Sequence, residues 1–156
     1  MQSQKCAGVM GKPTYMSRKL RFALLVTDIA FLTYWALAAM NAVGIVHIPA
    51  DWLYADADQP RVVAWNWSFF PLDIAFSISG LTAVRRASRG DSKWAALCLV
   101  SLILTMVAGG MAVSYWVLLK EINLAWFLPN LALVLWPIAF LPGIFRILHG
   151  NAASKT

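Results

Sequence analysis

The sequence predicts an all-α, polytopic membrane protein, a four-transmembrane-helix bundle with its N and C termini cytoplasmic. Three observations predict it. Four long apolar stretches, residues 20–46, 67–84, 94–119 and 124–145, fill most of the 156-residue chain. Each is close to the ~20 residues a helix needs to cross a hydrocarbon core ~30 Å thick. The chain is 60% hydrophobic and 13% charged, against roughly 25% charged in soluble domains, and a mean hydropathy of +0.66 leaves no room for a separate soluble domain. The charges also differ by segment, with both tails and the second loop positive, the first loop negative and the third neutral. The chain divides into a tail (1–19), a transmembrane domain (20–146) and a second tail (147–156).

The first tail carries Lys5, Lys12, Arg18, Lys19 and the nearby Arg21 with no acid. Its first apolar run is too long for a cleavable signal and lacks a small-residue cleavage site. The loop after the first span carries Asp51, Asp56 and Asp58 against Arg61. The loop after the second span has Arg85, Arg86, Arg89 and Lys93 against Asp91, Lys120 and Glu121 cancel in the third loop, and Arg146 and Lys155 end the chain. Positive-inside logic therefore puts both termini and the second loop in the cytoplasm. The net charge of +6 sits at segment ends, where it suits anionic head groups rather than nucleic acid. Short loops and the lack of eukaryotic sorting signals favour a bacterial cytoplasmic membrane as the location, crossed several times.

Polar groups inside the spans are the candidate functional residues, because an ionisable side chain at membrane depth is costly. On the first span Asp28, Trp35 and Ala39 share a face, and Thr27, Tyr34 and Asn41 share another. On the second, Phe70, Asp73, Ser77 and Gly80 form one stripe. The third carries Ser101, Thr105, Ala108, Ala112 and Tyr115, and the fourth Asn130, Val134, Pro137 and Leu141. Pro137 and Pro142 would kink that helix and free carbonyls. By depth, Asn41, Asp73, Tyr115 and Asn130 fall in an outer layer about 6–10 Å from the boundary. Asp28, Ser77 and Ser101 fall in an inner layer, where Asp28 has Ser77, Ser101 and Thr105 as candidate hydrogen-bond partners. Gly109 and Gly110 allow close helix approach.

The first loop supplies Trp52, Tyr54, Trp65 and Trp67, which suit an interfacial belt, and Ser68 reads as a helix start with Pro71 in its first turn. This segment forms either an ordered cap or a lid over a pocket containing Asp73. Asp73 stands among Trp65, Trp67, Phe69 and Phe70. There it could hold a proton or, ionised beside aromatic faces, bind an organic cation. No cofactor or metal is expected: His47 and His149 fall on opposite sides of the membrane, Cys6 and Cys98 form no paired motif, and there is no phosphate-binding loop.

Thr27-Asp28, then Pro49-x-x-Trp52-Leu53, then the run Ala64-Trp-Asn-Trp-Ser-Phe-Phe-Pro-Leu-Asp73 look like the YvaD-like family of small bacterial membrane proteins. The resemblance is specific over residues 24–84. It implies a fold and no established activity. A more distant likeness is to the emopamil-binding and sigma-2-receptor-like (EXPERA) superfamily, in which Asp28 and Asp73 would take two acidic positions. That likeness implies a hydrophobic cavity for sterols or cationic amphiphiles and, in some members, isomerisation of a sterol double bond. This chain has no convincing His or Glu in the outer half of its spans to support that isomerase chemistry.

Three functions are therefore expected in order. The first is an outer-leaflet-facing pocket for a hydrophobic or cationic amphiphilic ligand, anchored by Asp73 and Asn130 with Asn41, Tyr115, Trp65, Trp67 and Phe70 around it. The second is a structural or accessory subunit, packed as a homodimer or against another membrane protein. The third is a sterol- or isoprenoid-isomerase-like enzyme, disfavoured because Asp28 and Asp73 should lie roughly 10 Å or more apart in depth.

Overall fold

The computed structural model describes residues 15–49, 52–53, 56–120 and 122–153. Expectations placed on Lys5, Cys6, Lys12, Asp51, Tyr54, Glu121 and Lys155 lie outside the described residues. Helix α1 (Arg18–Ala42) starts at Ser17, whose hydroxyl accepts the Leu20 N–H at 3.2 Å, satisfying one orphan donor of the first turn. Helix α2 (Pro60–Ser68) begins on a proline, where a missing N–H costs nothing. Helix α3 (Phe70–Ser88) follows almost in line, because the joint residue Phe69 keeps helical angles, φ −78° and ψ −22°. Pro71 has no N–H to return to Trp67, which accounts for the break. The second span therefore starts well before Ser68, which closes α2 with its hydroxyl donating to the Trp65 carbonyl at 2.6 Å.

A tight turn at Gly90 (φ 71°), where glycine carries the positive φ without strain, leads into α4 (Trp94–Leu119). Arg86 and Asp91 pair across this turn at 2.6 Å. Lys120 ends α4 in the left-handed region. Asn123 then caps α5 (Leu124–Ile138), accepting the Ala125 N–H at 3.1 Å. Helix α6 (Leu141–Ala153) continues it after a break at residues 139–140. Pro137 and Pro142 cannot donate to Leu133 and Ile138, so the helical ladder is interrupted at both ends of that break.

Four helical segments, α1, α2–α3, α4 and α5–α6, are long and apolar enough to cross a membrane. Large side chains such as Phe22, Val26, Met111, Leu118 and Leu128 point outward and are exposed, while Asp28, Asp73, Ser77, Ser101 and Thr105 are buried. This arrangement suits an apolar solvent. Helix α1 packs on α3, α3 on α4, and α4 on both α5 and α6, whereas the α1 and α5 backbones do not pack together. One seam of the bundle is therefore open. At the α6 end, an apolar cluster that includes Leu20, Leu24, Trp94, Leu102 and Ile144 fills the interior. At the loop end, a second cluster includes Trp35, Leu53, Phe69, Phe76, Ala108 and Ala112.

Candidate functional site

The two acidic stripes read from the sequence face each other. Asp28 and Trp35 on α1 meet Gly80 and Asp73 on α3 in one antiparallel register, with the same interval along each helix. The Trp35 indole N–H donates to Asp73 Oδ2 at 2.9 Å. At the other contact, a Cβ built on Gly80 would collide with Asp28 Oδ2 and lie 2.8 Å from Ser101 Oγ, so only glycine lets the carboxyl sit there. Phe31 and Phe76 pack edge-to-face between them, with ring centroids 5.0 Å apart. The register separates the carboxyls by two helical turns, about 10 Å.

Asp73 borders a cavity of about 320 Å³, near the lower end of the range for small-molecule sites. Helix α1 contributes Phe31, Tyr34 and Trp35, and α4 contributes Ala108, Ala112 and Trp116. Helix α5 contributes Trp126, Pro129, Asn130 and Leu133, and Leu53 comes from the first loop. The cavity thus occupies the open seam between α1 and α5. Asp73 is 3% exposed. With Oδ2 held by Trp35, its Oδ1 has no hydrogen-bond partner. Small side chains at Ala108 and Ala112 leave the space that larger ones would fill.

Among the sequence-derived candidates, Asp73, Asn130 and Trp65 line this cavity. The Asn130 amide donates to the Trp126 carbonyl at 2.7 Å, leaving its Oδ1 as the remaining acceptor. Tyr115 stacks on Trp65 at 4.1 Å and 22°. Trp67 and Phe70 each pack on Trp35 with centroids 5.2 Å apart. These three back the cavity wall without lining it. Asn41 lies elsewhere: its Oδ1 accepts the Ile48 N–H at 2.8 Å and folds the chain back after α1. Asp28, Ser77 and Ser101 form a separate buried layer, and Asp28 makes no hydrogen bond to Ser77, Ser101 or Thr105. Thr105 instead donates to the Ser101 carbonyl at 2.9 Å.

Several contributors were not singled out as site residues. Trp35 is the hydrogen-bond partner of Asp73, although its face on α1 was legible. Tyr34 and Asn66 bond to each other at 3.1–3.2 Å and tie α1 to α2 beside the cavity. Pro129 returns no N–H to Ala125, and both residues line the cavity. An interior proline five residues after a helix start was the available signal for that freed carbonyl.

Among the described residues, fold and site define an all-helical protein with four helical segments long and apolar enough to cross a membrane, around a cavity bordered by one buried carboxyl. The chain belongs to a family of unknown function (DUF5360), whose model matches residues 20–150. It is similar to the uncharacterized protein YvaD of Bacillus subtilis (strain 168), with 40% identity over 126 residues covering 80% of this chain and 90% of that one. The resemblance to a YvaD-like family is thereby shown. No solved structure matches the chain.

Proposed function

We propose that the protein binds an amphiphilic small molecule in the cavity between α1 and α5, with Asp73 as the polar anchor. The observation that carries this reading is the unpartnered Oδ1 of a buried carboxyl that borders a cavity lined mainly by apolar and aromatic residues. A buried polar atom without a partner costs free energy, about 1–3 kcal/mol, which a ligand donor would offset. Trp35, Trp65 and Trp126 stand among the lining residues, and aromatic rings favour a nearby cation, so an amine or ammonium head on an apolar body fits best. In this reading the four spans cross the bacterial cytoplasmic membrane with both termini inside, as the loop charges favour. The cavity then lies toward the outer leaflet, and ligand enters sideways from lipid through the α1–α5 seam.

A two-carboxylate acid–base mechanism is poorly supported, since both groups would have to reach one substrate across about 10 Å. The test is the thermal midpoint of detergent-solubilised wild type and Asp73→Asn across sterols, isoprenoid alcohols and long-chain alkylamines. An alkylamine-dependent rise that is absent in Asp73→Asn supports the reading. No shift with any compound, in a variant as stable as wild type, transfers support to the accessory-subunit function.

A further inference from the structure

Below the cavity, four oxygens stand without hydrogen-bond partners: both carboxyl oxygens of Asp28 and the hydroxyls of Ser77 and Ser101. All three residues are at most 1% exposed. They come from three helices, and Asp28 Oδ2 and Ser101 Oγ both border the point where a Gly80 side chain would begin. Five other helix hydroxyls bond locally. Thr33, Ser79, Ser88, Thr105 and Ser114 each donate to the carbonyl four residues earlier, at 2.7–2.9 Å. Ser77 and Ser101 forgo that bond although they are fully buried.

We infer that Asp28, Ser77 and Ser101 form a binding site for a small monovalent metal cation, sodium, between α1, α3 and α4. A hard cation takes oxygen ligands, and carboxylate and hydroxyl oxygens are such a set. Sodium fits the charge, because one carboxylate neutralises one positive charge and a divalent ion would leave an excess in an apolar interior. In so buried a layer the ion would be held without its water. Among the described residues no cluster of three or more His, Cys, Asp or Glu could hold a metal, so this site depends on hydroxyls. Its titratable neighbour is Cys98, a buried thiol one turn before Ser101 on α4. The inference is independent of what fills the cavity.

The experiment is a thermal-midpoint titration of the detergent-solubilised full chain with sodium, lithium, potassium or choline chloride at matched ionic strength. Sodium at about a hundredfold above its Kd should raise the midpoint by about 5–10 °C over choline, with potassium weaker. Ser101→Ala should shift the titration to higher sodium by tenfold or more, and Asp28→Asn should abolish the sodium response, while Asp73→Asn retains it. Should Asp28→Asn fail to fold, the wild-type salt comparison and Ser101→Ala decide the matter alone. Equal wild-type midpoints in sodium and choline overturn the inference, as does a potassium response equal to that of sodium. A sodium response unchanged in Ser101→Ala overturns the ligand set.

Discussion

Trp35 donates its indole N–H to Asp73 across the α1–α3 interface, and this one bond fixes which carboxyl oxygen is left for a ligand. Trp35→Phe keeps a ring against Trp67 and Phe70 but removes the donor. The variant should lose about 1–3 kcal/mol of stability, read as a lower thermal midpoint. Alkylamine affinity should fall as well, because Asp73 is no longer oriented. Unchanged affinity would show that the indole only supports the fold.

Gly80→Ala should be among the most damaging single-methyl changes in the chain, since the new Cβ meets the Asp28 carboxyl and the Ser101 hydroxyl. Overpacking of this kind costs about 1–3 kcal/mol. Gly110→Ala is the control: nothing lies within 4 Å of the added carbon, and replacing a mid-helix glycine should gain about 0.5–1 kcal/mol. Thermal midpoints of the two variants should move in opposite directions.

Filling the cavity separates binding from folding. Ala112→Leu places new methyl groups in space bordered by Asp73 and Asn130. The expected result is a stable, monodisperse protein whose midpoint no longer responds to alkylamine, measured beside wild type in the same detergent.

Asp91 accepts the Lys93 backbone N–H at 2.9 Å and pairs with Arg86. The Lys93 N–H first, and then the Arg86 guanidinium, hold its carboxyl below the usual value of 3.8. A depressed carboxyl stabilises the fold above its unfolded value and loses that contribution as pH falls through its folded one. Wild type should therefore exceed Asp91→Asn slightly in midpoint at neutral pH, and the two should converge as pH drops below about 4.

Orientation can be read by labelling in intact cells. In a background of Cys6→Ser and Cys98→Ser, a membrane-impermeant maleimide should modify Ala57→Cys and spare Arg89→Cys. The reverse pattern would place the termini outside.

The α1 and α3 faces were legible in the sequence because helical spacing alone puts Asp28 with Trp35 and Asp73 with Gly80. Their pairing was not, since spacing within one helix says nothing about its register against another. Depth grouped Asn41, Tyr115 and Asn130 with Asp73, yet only Asn130 joins Asp73 at the cavity. Depth fixes height along the bundle and leaves rotation about each helix axis free. Asn41 was diverted to the Ile48 backbone, a local bond of the kind Asn side chains make at chain reversals. The early start at Pro60 was missed because Pro71 resembles a first-turn proline. It is one, but of a second helix that follows the first almost without a bend.

The backbone of helix α1 packs on α3 and that of α5 on α4, with α6 behind it, so the cavity is held between two jaws whose backbones do not pack together. The Pro137–Pro142 break gives α5 its own joint. A guest bulkier than about 320 Å³ would meet compliance rather than a fixed wall. The central α3–α4 pair would keep the Asp73 anchor in place while the mouth widened. Under the proposed function, selectivity in such a vice would rest on the head group gripped by Asp73, with tolerance for the length and shape of the tail.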